Sequence, residues 1–178
     1  MTTIFSIGHG RSTIESFMNI LKQYKIDFLY DVRSRPMSKY NFQFNKTWLE
    51  VDLPKEGITY KFVGDNLGGL PKDASCYTNG KVDYSKIREK DFFNKGVMEL
   101  VQANKNRLRI ALMCSESNPQ DCHRSKLIGQ ELLKYKISVN HIVDGKIKDQ
   151  NDVINELTKG KGTVDLFGEN DFNSRNVY

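Results

Sequence analysis

The sequence predicts an α/β fold: a single three-layer domain, with a mostly parallel sheet of about five strands and helices on both faces. Three observations predict it. Short β-prone runs alternate along the chain with longer segments of helical apolar spacing, the pattern of consecutive βαβ units. One run, residues 110–113, is apolar throughout, as a strand covered on both faces must be. No repeat or linker divides the 178 residues, a length that suits one domain with a substantial core. The domain is expected over residues 1–158. Residues 159–178, where the composition turns to Gly, Asn and Asp, are expected as a loosely ordered tail.

Each element has its own signal. Residues 3–7 form the first strand and end in the polar turn Gly8-His9-Gly10-Arg11. Ser12 with Glu15 three residues on makes a capping box, and Ile14, Phe17, Met18, Leu21 and Tyr24 then recur at helical spacing. Residues 26–32 are the second strand, with Asp31 and Arg33 at its end. The segment that follows interleaves Arg33, Arg35, Lys39 and Lys46 with Tyr40, Phe42 and Phe44. Such a segment can grip phosphates and stack bases, or it can fold onto the core with its aromatics buried and its cations in water. Residues 47–53 read as a helix with Trp48, Leu49 and Leu53 inward, ended by Pro54.

Residues 58–63 are the third strand. Residues 64–80 form a long loop whose glycines match neither a dinucleotide fingerprint nor a P-loop, and Cys76 within it reads as incidental. Residues 83–104 are helical in two pieces, with Phe92, Phe93, Val97, Met98, Leu100 and Val101 as the buried face. Strand 108–113 follows. Asn118 is then an N-cap, with Pro119 at N1 and Asp121 at N3, for a helix over 119–135. A fifth strand over 138–143 and a short helix over 152–158 complete the domain.

In parallel sheets ligands bind beyond the carboxyl ends of the strands. Four of the five expected strands end in groups able to do chemistry: His9 and Arg11, Asp31 and Arg33, Cys114 and Glu116, His141 and Asp144. The richest is the stretch 114–124, where two thiols, a carboxylate, an imidazole and a guanidinium lie between a strand end and a helix start. A helix start has unpaired N–H groups and partial positive charge, which lowers a thiol pKa and holds anions. Cys114 is the candidate nucleophile, with Glu116 and His123 as acid/base groups. His9, Arg11, Asp31, Arg33, Arg35, Cys122 and Arg124 are candidates for holding an anionic substrate. No metal site or cofactor is assigned, because the spacing of Cys114, Glu116, Cys122 and His123 is not that of a zinc finger or ribbon. A rhodanese or phosphatase loop needs Cys and Arg closer together than Cys114 and Arg124 are.

The pattern Cys-x-Glu-x5-Cys-His-Arg at 114–124 resembles the signature of the DUF488 family, a domain of unknown function. Ser6-Ile7-Gly8-His9-Gly10 fits as well, with Gly10 where the family usually has Ser. So does Asp31-Val32-Arg33-Ser34-Arg35-Pro36, followed by Phe44-Asn45-Lys46. The resemblance implies a compact α/β domain and brings no settled activity.

Composition narrows the partners. A net charge of +5 permits an anionic partner without demanding one. No apolar run approaches the ~20 residues that span a bilayer, and the N-terminus lacks a signal peptide, so the expected location is the cytoplasm, with the three cysteines as thiols. Three readings stay open. One is an enzyme acting on a nucleotide or nucleic-acid-derived anionic substrate. The second is a nucleotide or nucleic-acid binding module without turnover. The third is a thiol redox or metal-binding protein using Cys114 and Cys122. Thr163, Val164, Asp165, Leu166 and Phe167 resemble a sliding-clamp-binding peptide that lacks its opening Gln, which would make this stretch a protein-partner segment.

Overall fold

The structure is a computed structural model that describes residues 3–160, 164–165, 168–169 and 172–177. Its strands are β1 Ile4–Gly8, β2 Phe28–Asp31, β3 Thr59–Phe62, β4 Tyr77–Thr78, β5 Lys81–Asp83, β6 Ile110–Cys114, β7 Asn140–Val143, β8 Lys146–Asp149, β9 Val164–Asp165, β10 Gly168–Glu169 and β11 Asn173–Val177. Its α-helices are α1 Ile14–Gln23, α2 Lys46–Lys55, α3 Gly64–Leu67, α4 Tyr84–Arg88, α5 Asp91–Lys105, α6 Gln130–Lys134 and α7 Gln150–Leu157. The central sheet runs β3-β2-β6-β1-β7-β8. All its pairs are parallel except β7–β8, a hairpin through Asp144-Gly145 with both residues at positive φ. The strand beyond the expected five is β8, a polar edge strand without apolar periodicity.

Alternation along the strands divides the core into two layers. Phe5, Ile7, Leu29, Ala111 and Met113 face α1 and α2, where Phe17, Leu21, Leu49 and Leu53 are buried with Phe44. Ile4, Tyr30, Ile110, Leu112 and Cys114 face the other layer, packed with Leu67, Phe93, Val97, Leu100, Leu127, Ile128 and Leu132. The chain moves one way along the sheet over the first face, from β1 to β2 to β3. It returns over the second face, from β3 to β6 to β7. Strand β6 therefore lies between two strands whose following helices leave on the opposite face, and the crevice beyond its carboxyl end is the topological switch point.

Several local expectations are corrected. The cap of α1 is Thr13, whose hydroxyl accepts from Ser16 N; Ser12 instead closes a turn on His9 O. Pro54 sits in the last turn of α2, and Trp48 points to solvent. Met98 is likewise exposed on α5, since the inward positions are Phe93, Gly96, Val97, Leu100 and Ala103. The loop 64–80 contains α3, a 3-10 turn Ala74–Cys76 and β4, and Cys76 is a fully buried core residue. The single helix expected over 119–135 is three pieces: a 3-10 turn Pro119–Asp121 capped by Asn118, a π-helical segment Arg124–Gly129, and α6. Within the expected tail, β11 pairs antiparallel with β5, and Ser174 Oγ accepts from Val82 N at 2.9 Å. Thr163, Leu166 and Phe167 of the clamp-like peptide lie outside the described residues. No helix among the described residues is long and apolar enough to cross a membrane.

Candidate active site at the end of the central strand

Two thiols meet beyond β6. Cys114 is its last residue, and the period-2 alternation turns its side chain toward α5 and α6. Cys122 follows the Pro119–Asp121 turn, which carries the chain back over the strand end. That return requires a residue without Cβ beneath it: a Cβ on Gly8 would overlap the Glu116 carbonyl. Cys114, Cys122 and His123 offer donor atoms within 4.8 Å of one another, all buried.

The hydrogen bonds assign the protons. His123 Nε2 lies 3.0 Å from Val32 O, a carbonyl that only accepts, so Nε2 carries a hydrogen. Nδ1 then faces Cys122 Sγ at 3.6 Å and Cys114 Sγ at 4.0 Å. Cys122 Sγ also receives Arg124 Nε at 3.3 Å and Arg124 N at 3.5 Å. Cys114 donates its S–H to Glu116 Oε2 at 3.0 Å. The two thiols are therefore driven apart in acidity. The adjacent Cys122 sulfur, together with burial, pushes Cys114 well up. At Cys122 burial acts against ionisation, but the Cys114 thiol, Arg124 and His123 outweigh it and hold Cys122 well down. Burial would pull His123 down, yet the adjacent Cys122 thiolate raises it. The set places a thiol of lowered pKa between an imidazole of raised pKa and a guanidinium, beside a second thiol that leans on a carboxylate.

These groups form one wall of a cavity of about 170 Å³. Arg33, Ser34 and Arg35 from the end of β2 form another, and Gly69, Leu70, Tyr84, Asp121 and Ser174 complete the lining. Arg33 is fixed in place. Its Nε and Nη2 donate to Asp31 at 2.8 and 2.6 Å, and Nη2 also donates to Phe44 O at 2.6 Å. Tyr60 Oη closes the network on Asp31 Oδ2 at 2.7 Å. Arg35 is exposed at the rim and makes no hydrogen bond or ion pair among the described residues.

Of the residues expected from the sequence, Cys114, Glu116, Cys122, His123, Arg33 and Arg35 thus line one cavity. The others take different places. Arg124 lies beneath the site, fully buried, with Nη1 on Ser6 Oγ at 3.2 Å and Nη2 on Glu116 O at 2.5 Å. Asp31 is the buried partner of Arg33, and Arg11 is exposed outside the cavity lining. His9 belongs to the other layer, its ring stacked on Phe44 at 4.3 Å. Burial and the nearby Arg33 charge depress His9 to about 4. His141 is a core residue as well: Ser6 Oγ and Gln150 Oε1 each lie 2.6 Å from a ring nitrogen, and burial holds it at about 4.

Sequence reasoning did not find Ser34, Gly69, Tyr84, Asp121 or Ser174. The Gly68-Gly69 pair was the available signal, since a Cβ on Gly69 would lie 2.8 Å from the His123 ring. For a metal, Cys114, Cys122 and His123 are the only Cys/His/Asp/Glu group among the described residues close enough to share an ion. The Arg124 guanidinium already supplies positive charge at the Cys122 sulfur.

The chain matches no curated protein and no solved structure. The model of the family described as domain of unknown function DUF488 matches residues 13–130, well over half of the chain and including both Asp31-Val32-Arg33 and the Cys114–Arg124 stretch, and the chain belongs to that family.

Proposed function

We propose that the chain is a thiol-dependent enzyme acting on a nucleotide or nucleic-acid-derived anionic substrate held in the cavity beyond β6. The observation that carries the reading is the setting of Cys122 Sγ. It has Arg124 Nε at 3.3 Å and His123 Nδ1 at 3.6 Å, on a cavity wall shared with Arg33 and Arg35. Cys122 rather than Cys114 is the nucleophile in this reading, because its thiolate is the stabilised one. Sulfur bonds to the electrophilic atom as the bond to the leaving group breaks. The leaving group takes the proton held between Cys114 Sγ and Glu116 Oε2. Water or a second acceptor then displaces the sulfur, returns a proton to the Cys114–Glu116 pair and restores the thiolate. Arg35, which no carboxylate pairs among the described residues, supplies the positive charge for an anionic group.

Iodoacetamide alkylation followed by intact mass across pH tests this. One thiol is expected to react with a midpoint well below the ordinary ~8.5, and to be lost in Cys122→Ser but kept in Cys76→Ser. Alkylation should abolish turnover in a panel of nucleotide esters and thioesters. Thiols that react only with an ordinary midpoint, or equal labelling of Cys122→Ser, would remove the nucleophile.

A further inference from the structure

The segment between β2 and α2 reaches out from the site. Lys46 N bonds Pro36 O at 2.9 Å and Ser38 N bonds Asn45 Oδ1 at 2.6 Å, so the ends of the segment are pinned together. Phe44 is fully buried against His9 and Phe17, and its carbonyl holds Arg33. The tip between these anchors does not fold onto the core. Tyr40 is 93% exposed, Phe42 62% and Met37 62%, and Trp48 on the next helix is 54% exposed. Leaving four large apolar side chains in water on this segment and the helix after it is costly for a molecule without a use for them.

The charge pattern says what covers them. Residues 33–49 contain Arg33, Arg35, Lys39 and Lys46 and no acidic residue. Arg33 is neutralised by Asp31 and Lys46 pairs with Glu50 at 3.6 Å, at the two ends of the segment. Arg35 and Lys39 make no ion pair among the described residues. Two unpaired cations, Arg35 and Lys39, beside the exposed rings of Tyr40 and Phe42 match phosphates bearing unstacked bases. Arg35 belongs both to this segment and to the cavity rim, which joins the two surfaces at one residue.

We propose that the Arg35–Trp48 surface binds single-stranded nucleic acid, with Tyr40 and Phe42 as stacking platforms and Arg35 and Lys39 on the phosphates. This rests on the reading of the cavity as a site for nucleic-acid-derived substrates, and names the form in which they arrive. The test is fluorescence anisotropy of the whole chain with labelled fifteen-residue dT and rU oligomers, the corresponding duplex, and vesicles of phosphatidylcholine with phosphatidylserine. Expected are binding of single strands over duplex and a salt slope that falls by about 0.7 in Lys39→Ala. Tyr40→Ala with Phe42→Ala should weaken binding about tenfold or more, with an unchanged melting temperature. That double variant should keep the low-pH alkylation of Cys122, so loss of strand binding and failure of the thiol chemistry are read separately. No single-strand binding, binding indifferent to the double variant, or binding only to vesicles would each overturn the proposal.

Discussion

Asp31→Asn removes one charge from the network that fixes Arg33, and its cost can be worked from the contacts. The two carboxylate oxygens accept from four donors: Arg33 N, Arg33 Nε, Arg33 Nη2 and Tyr60 Oη. An asparagine offers one oxygen and one NH2, so two of these donors would meet another donor. The Arg33 guanidinium would remain where it is, with its side chain 5% exposed, opposite a neutral group. Leaving one buried charge uncompensated costs about 3–5 kcal/mol. For a chain of this length about 2–4 °C accompanies each kcal/mol, so the melting temperature should fall by about 6–20 °C. Urea unfolding should show a lower midpoint at unchanged slope. In Arg33→Met the carboxylate is stranded instead, and the double variant should cost clearly less than the sum of the two. A loss below about 1 kcal/mol, or additive costs, would refute the account of Asp31–Arg33 as a buried, mutually dependent pair.

Other outcomes follow from neighbouring contacts. His141 is held at about 4 by burial, below its unfolded value near 6.5, so the unfolded chain binds the extra proton. Its contribution is complete above pH 6.5 and is lost as pH falls toward 4, by about 2 kcal/mol at pH 5. Urea unfolding of the native chain and His141→Gln at pH 7.5 and pH 5 should therefore show a smaller acid loss in the variant. Gly8→Ala should push the Glu116 carbonyl off the strand end and destabilise the fold by about 2 kcal/mol or more, and the same variant should lose the low-pH alkylation of Cys122.

What was legible in the sequence was what periodicity and strand ends report. The all-apolar run now in β6 marked the centre of the sheet, and the groups after β2 and β6 marked the crevice, because every parallel strand delivers its carboxyl end to one edge. What periodicity could not report was direction. Arg33 and Arg124 look alike in sequence, as arginines just after chemistry-bearing residues. One is held at the cavity wall by Asp31, and the other is turned inward to Ser6 and Cys122. His141 looked like a strand-end group and is a buried link between Ser6 and Gln150. Such partners are distant in sequence and carry no local signature. The exposed tip was ambiguous for a related reason: Tyr40, Phe42 and Phe44 alternate, but only Phe44 has His9 and Phe17 to pack against.

The π-helical segment explains why 114–124 yields a site where a regular helix would not. In an uninterrupted helix from Pro119 the Arg124 amide would bond the Gln120 carbonyl four residues back. Instead the turn ends at Asp121, Cys122 is extended, and the wider winding of Arg124–Gly129 begins at His123. Arg124 N is left to point at Cys122 Sγ at 3.5 Å, while Lys126 N returns to Cys122 O at 3.2 Å. The strain of a π segment is tolerated because its neighbours hold it: Gln150 Nε2 donates to Ser125 O at 3.1 Å, and the Arg124 side chain ties it to β1 through Ser6. Cys122 is thus presented to the cavity by backbone that gives up its own helical bonding, with a fully buried guanidinium fixed behind the sulfur. An arrangement kept only for packing would place an apolar side chain at Arg124, since a buried cation stabilises little unless an anion stands beside it. In this chain the group beside it is Cys122 Sγ, at 3.3 Å from Arg124 Nε, and the guanidinium helps to hold that thiol's pKa down.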